Sequence, residues 1–297
     1  MAPPGIQYHV ALPRIDGADT AEGLAEAQQE ALERLSENWA GRAVAPPIRM
    51  LPERVAVGEL DLPAQGGPDG VPIGIGESDL APVYLDLDAQ DPHLLVLGDS
   101  GSGKSAFLRT WINGLVRSRS AWEARIILVD YRRSLLGVVP KEHLGAYAGD
   151  AVMAAEMTKL FAEKLAERLP PPDVTAEQLR DRSWWTGPEF YVVADDYDMV
   201  AGRSSPLSPL LQFVPQAREL GLHLVLARRV AGISRWMVSE PLFAQTRDLG
   251  AAGLILSGDP REGALVGDQR AAQRPPGRGM LVRRRQPPTM IQVALDE

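Results

Sequence analysis

Lys104 and Ser105 close the run Gly98-Asp99-Ser100-Gly101-Ser102-Gly103-Lys104-Ser105. A glycine, four residues and then Gly-Lys-Ser/Thr is the spacing of a loop that wraps nucleotide phosphates. The glycines let backbone N–H groups converge on an anion with no Cβ in the way. Lys104 would reach the β- and γ-phosphates and Ser105 would ligate Mg²⁺. The expected cofactors are therefore a nucleotide and Mg²⁺, with Gly98, Asp99, Ser100, Gly101, Ser102, Gly103, Lys104, Ser105 and Ala106 as the binding residues. Such a site needs a second carboxylate at the end of a neighbouring buried strand. Tyr191-Val192-Val193-Ala194-Asp195 supplies four apolar residues running into an acid, which makes Asp195 the partner of Ser105 on the metal.

These groups work only if a strand precedes the loop and a helix follows it. His93-Leu94-Leu95-Val96-Leu97 is an apolar run suited to a buried parallel strand, and Ala106–Ile112 has helical character. The helix would turn its positive end toward the phosphates. Asp196 sits where additional-strand ATPases carry a glutamate that polarises the attacking water, so Asp196 and Lys104 are the expected catalytic residues. The aspartate is one methylene short. A catalytic group misplaced by about 1 Å costs on the order of 10²-fold in rate, so binding should survive better than turnover.

Around this centre the pattern is alternating α/β. Strands are expected at 83–87, 94–97, 125–130, 191–194, 222–227 and 253–257, with edge strands at 280–283 and 290–293. Helices are expected at about 150–169 and 175–181. The fold class implied is a P-loop NTPase with a RecA-like, doubly wound, mainly parallel sheet. Ahead of it, residues 1–72 read as a linker or extension, and 73–297 as the ATPase domain. The extension holds an extended lead-in at 1–18, an extended Pro-rich run at 46–52 and a Gly/Pro-rich loop at 63–72. It also holds one amphipathic helix with Asp19 as N-cap, a packed face of Leu24, Ala31, Leu32, Leu35 and Trp39, and Gly41 closing it.

A chain of 297 residues, 45% hydrophobic and 24% charged, has an ordinary globular composition. It contains no apolar run of membrane-spanning length and no signal-peptide pattern, so the expected location is cytoplasmic. The absence of cysteine excludes disulfides, thiolate metal sites and a cysteine nucleophile. His93 and His223 each start an apolar run and read as structural, with no metal assigned to them. A net charge of −8 argues against a surface that coats itself in nucleic acid, and Arg283-Arg284-Arg285 reads as a solvated strand end.

Several segments together carry a resemblance. Gln216–Ala227, in which a helix ends in Gly and is followed by His-Leu-Val-Leu-Ala, is similar to a segment of the FtsK/SpoIIIE/HerA ATPase superfamily. Val129–Gly137, Asp195–Asp198, Leu256–Gly263 and Pro276–Val282 resemble the last ATPase module of the EccC family over roughly 44–297. The resemblance implies a cytosolic module of a type VII (ESX) secretion motor, attached to an inner-membrane complex beside other ATPase modules. It further implies recognition of the C-terminal signal of WXG100 (Esx-type) substrates, with DNA binding not expected. Relatives that move DNA carry Gln after the Ala-Thr of the sensor strand, whereas Ala227 is followed here by Arg228-Arg229. With Asp196, this suggests nucleotide held and turned over slowly. A DNA translocase and a fully active oligomeric ATPase stay open as alternatives. Arg218, Arg261 and Arg278 are candidates for action on a neighbour's ATP, although a surface salt bridge is the simpler role for each. Trp184-Trp185 reads equally as a partner anchor or a loop plug, and the Trp236, Met237, Leu242 and Phe243 region as core or as a substrate groove.

Overall fold

The computed structural model describes residues 11–42, 50–60, 70–88, 91–201 and 205–296. The chain divides into two compact units, 1–49 and 50–297. Of the sequence expectations, 1–10, 46–49 and 63–69 lie outside the described residues.

The first unit holds α1 (Leu24–Trp39). Gly23, in a left-handed backbone conformation, takes the N-cap position in place of the expected Asp19, and no side chain caps the helix. Arg14 ties the lead-in to the start of α1 by donating to the carbonyls of Thr20 and Glu22. The expected packed face is not formed: Ala31 is buried, but Leu32, Leu35 and Trp39 are more than half exposed. One helix offers its own unit no second layer to bury a stripe against.

The second unit is a three-layer α/β body. Its strands are β1 (Val71–Gly76), β2 (Pro82–Leu85), β3 (Leu94–Leu97), β4 (Ala124–Val129), β5 (Leu144–Ala148), β6 (Glu189–Ala194), β7 (Leu222–Arg228), β8 (Ala252–Ile255), β9 (Ala264–Val266), β10 (Gln269–Arg270), β11 (Arg278–Val282) and β12 (Thr289–Val293). Its helices are α2 (Lys104–Ser118), α3 (Ala151–Ala166), α4 (Ala176–Asp181), α5 (Tyr197–Ala201), α6 (Ala217–Leu220), α7 (Ile233–Trp236) and α8 (Pro241–Asp248). Among the described residues ten strands form one sheet in the order β2-β1-β12-β11-β8-β3-β7-β6-β4-β5. The half from β8 to β5 is parallel, and the half from β11 to β2 is antiparallel.

This is a P-loop NTPase sheet, more evenly mixed than the sequence suggested. Strands β11 and β12 lie inside it and not at its edge, because β1 and β2 pair beyond them. Strand β1 includes Val71 and Pro72, which were expected to be loop, and the second compact unit begins at Met50. Val55, Val57 and Leu60 strengthen that boundary by packing with Ala294 and Ile75.

Alternation along β3 explains the layers. Leu95 and Leu97 face a core shared with α3, α5 and α8, whereas Leu94 and Val96 face one shared with α2. Helix α2 puts Phe107, Leu108, Trp111, Ile112 and Leu115 into that second core. Gly114 lets it lie close to the sheet, since a Cβ there would stand 2.3 Å from Val71 Cγ1. The chain leaves β3 through α2 and crosses to β4, two strands beyond β7, so the phosphate loop opens at the carboxyl end of a central strand.

Candidate nucleotide site

The loop runs from the end of β3 to the first turn of α2, with Gly101 and Gly103 at φ +76° and +105°. Gly98 is fixed by crowding, since a Cβ there would lie 2.4 Å from Ser102 Oγ and 2.9 Å from Leu256 Cβ. Three neighbours brace the loop. Asp99 N donates to Ser257 O at 2.8 Å, Asp99 Oδ1 accepts from Ala231 N at 3.0 Å, and Gly277 N donates to Ser102 O at 2.9 Å. Ala106 lies in the first turn of α2.

The fold brings Ser105 to Asp195, which stands at the end of β6 and is 2% exposed. Ser105 Oγ donates to Asp195 Oδ2 at 2.6 Å, and Ser134 Oγ reaches the same oxygen at 2.7 Å. The other oxygen accepts from Asp196 N at 2.9 Å. Ser134 is held in turn by Asp130, whose carboxylate accepts from Ser134 N, Ser134 Oγ and Leu135 N. Asp196 adopts a left-handed backbone, φ +45°, and its carboxylate meets Arg132 Nη1 at 3.2 Å. A non-glycine residue in that region carries local strain.

The residues fit a nucleotide with its metal. Lys104 is nearly buried, meets only the Asp99 carbonyl at 3.4 Å, and has no carboxylate in salt-bridge reach among the described residues. Ser102 Oγ is buried with no partner among the described residues, and Gly101 has open space where a Cβ would stand. In front of it lies a cavity of about 370 Å³ lined by Ser100, Gly101, Lys104, Ser105, Arg132, Ser134, Asp196 and Arg229. A larger cavity of about 460 Å³, between the β1–β2 hairpin and Arg283–Arg284, shares none of these residues.

Sequence reasoning did not place Arg132, Ser134 and Arg229 at this cavity. Their signal was position, each lying shortly past the carboxyl end of a parallel strand, β4 for Arg132 and Ser134 and β7 for Arg229. Arg229 pairs with Asp198 at 2.7 Å, and that carboxylate raises its pKa. Arg228 is buried, stacks on Trp236 at 4.1 Å, and is lowered to about 10 by burial.

The other candidates lie elsewhere. Arg261 pairs with Asp259, Arg278 donates to the Leu51 and Pro52 carbonyls, and Arg218 is exposed; none lines the phosphate cavity. Trp184 and Trp185 are half-buried and donate to the Arg168 and Glu219 carbonyls, as a loop plug does. Leu242 and Phe243 are core, with Trp236 and Met237 packed against them. Arg284 N donates to Asp91 and its side chain to the Leu249 carbonyl while staying exposed, and the half-buried Arg283 reaches the Tyr84 carbonyl, so the strand end is solvated at Arg284 and Arg285 and anchored at Arg283.

Comparison with known proteins agrees with this fold. The FtsK/SpoIIIE family model matches residues 65–182. A solved structure described as an ATPase is 32% identical, covers 83% of this chain and 97% of its own, and superposes with a TM-score of 0.74. Residues 65–182 belong to the FtsK/SpoIIIE family. The chain is similar to the ESX secretion system protein EccC of Thermomonospora curvata, 43% identical over 99% of this chain and 22% of that protein. The solved ATPases 2 and 3 of T. curvata EccC, in complex with a signal sequence peptide, match with a TM-score of 0.88, 43% identity, 97% of this chain and 51% of that one. The chain thus spans about a fifth of the length of its EccC relative. No helix among the described residues is long and apolar enough to cross a membrane.

Proposed function

We propose that this chain is an ATP-binding module of a type VII (ESX) secretion motor, one that recognises the C-terminal signal of WXG100-type substrates and hydrolyses ATP slowly. Gly98–Ala106 would hold the phosphates, Lys104 would face the β- and γ-phosphates, and Ser105 with Asp195 would hold Mg²⁺. Bound Mg²⁺ supplies charge neutralisation on the phosphates. The observation that carries the reading is a complete cradle joined to an altered acid: Asp196 is shorter than glutamate and tied to Arg132 at 3.2 Å. Substrate recognition, neighbouring ATPase modules and attachment to a membrane complex come from the likeness to EccC and its signal-peptide complex.

The test combines two measurements on the purified chain. Signal peptides from ESX substrates are captured with and without Mg·ATP, and phosphate release is followed against protein concentration. Nucleotide-dependent capture with slow release is expected. Rapid release by dilute protein removes the slow-hydrolysis clause, and salt-sensitive retention of DNA with no peptide capture replaces the reading with a DNA translocase.

A further inference from the structure

The parallel strands carry the phosphate loop at their carboxyl ends; a separate cluster lies at their amino ends. Glu189 opens β6, His223 is the second residue of β7, and Asp88 follows β2. We propose that Asp88, Glu189 and His223 form a site for a divalent cation of the zinc class.

One ligand atom from each residue lies within 4.8 Å of the others, and His223 is 1% exposed. His223 Nε2 is 3.1 Å from Glu189 Oε2 and 3.3 Å from Asp88 Oδ1. Zinc bonds to nitrogen and carboxylate oxygen of about 2.0–2.2 Å give tetrahedral edges of roughly 3.4 Å, close to both separations. The 3.1 Å separation from Glu189 Oε2 is also within hydrogen-bond reach, but one ring N–H cannot point at two oxygens.

The proton on the other nitrogen supports a metal ligand. His223 Nδ1 is 2.9 Å from the Pro92 carbonyl, which can only accept, so Nδ1 carries a proton. In the tautomer with its proton on Nδ1 alone, the Nε2 lone pair faces two carboxylates, an arrangement that a cation between them relieves. A histidine donating its far N–H to a backbone carbonyl is the usual outer support of a metal ligand. The carboxylates are likewise held from behind. Arg182 Nη1 pairs with Glu189 Oε1 at 2.8 Å, and Arg119 pairs with Asp88 Oδ2, leaving Glu189 Oε2 and Asp88 Oδ1 facing His223. Tyr191 donates to Asp88 Oδ1 at 2.8 Å, and its ring stacks on His223 at 4.5 Å. Arg119 and Arg182 weaken cation affinity relative to a bare cluster but fix the ligand oxygens in place. Three protein ligands leave a fourth position for water. The cation would cross-link β6, β7 and the turn after β2, independently of what the phosphate loop does.

Cobalt(II) titration of the metal-stripped 297-residue chain, in excess Mg²⁺ to occupy Ser105 and Asp195, reads the site directly. We expect one equivalent of tetrahedral Co²⁺ with a visible band that Zn²⁺ displaces, lost in Asp88→Asn and Glu189→Gln. Nitrogen-15 spectra of the wild-type histidines should show His223 Nε2 without a proton once Zn²⁺ is added. The spectrum of hydrated cobalt alone overturns the proposal, as does a band that persists in both variants. Two protonated nitrogens on His223 in the presence of Zn²⁺ overturn it as well and assign an imidazolium ion pair instead.

Discussion

Asp195 is asked to accept from Ser105, Ser134 and the next backbone N–H at once, which places a buried carboxylate where a metal-bearing ligand would meet Ser105. Lys104 supplies the positive charge beside it. A hydrogen bond to a charged group is worth about 1.5–3 kcal/mol, so Lys104→Ala should weaken ATP binding by about 10- to 100-fold in a nucleotide titration. Asp196→Glu should raise phosphate release by up to about 100-fold, the cost of a 1 Å misplacement, while leaving affinity near that of the parent. A third residue-scale effect concerns His93, whose Nδ1 accepts from Leu224 N and whose burial drives its pKa down to about 3. The unfolded chain binds a proton near pH 6.5 that the folded chain refuses until about pH 3, so stability falls as pH drops through that window. Urea unfolding should lose about 1 kcal/mol per pH unit there, and His93→Asn should flatten the slope.

At the scale of elements, capping separates the helices that local sequence could locate from the one it could not. Asp150 caps α3 through its side chain, accepting from Val152 N and Met153 N, and Thr175 caps α4 with Gln178 completing the reciprocal box. Both starts were readable because the cap is encoded within four residues of the helix. Asp150→Ala should cost about 1 kcal/mol and lower the thermal midpoint by about 2–4 °C. For α1 the local signal misled, since Gly23 and not Asp19 precedes the first turn and no side chain caps it. Strands β11 and β12 were placed correctly along the chain and wrongly in the sheet. Their interior position depends on β1, whose Val-Pro-Ile-Gly-Ile-Gly composition hides a strand behind two glycines and a proline.

For the whole molecule, every residue around the phosphate cavity and both large cores lies within 50–297. Removing 1–49 takes away none of these residues, so ATP affinity in a nucleotide titration should stay within about twofold and cooperative unfolding should persist. Loss of nucleotide binding in the truncated chain would show that the first unit completes the site.

The sequence by itself determined the phosphate loop, the strand that delivers Asp195 and the alternating α/β order, because each is written in contiguous residues as a fixed spacing or an apolar run. Tertiary structure alone decided that Arg132, Ser134 and Arg229 line the cavity beside the loop, and that Asp88, Glu189 and His223 meet at the far end of the sheet. Strand order brings those residues together across dozens of intervening positions, and strand order is fixed by which faces can be buried together, not by any local pattern along the chain.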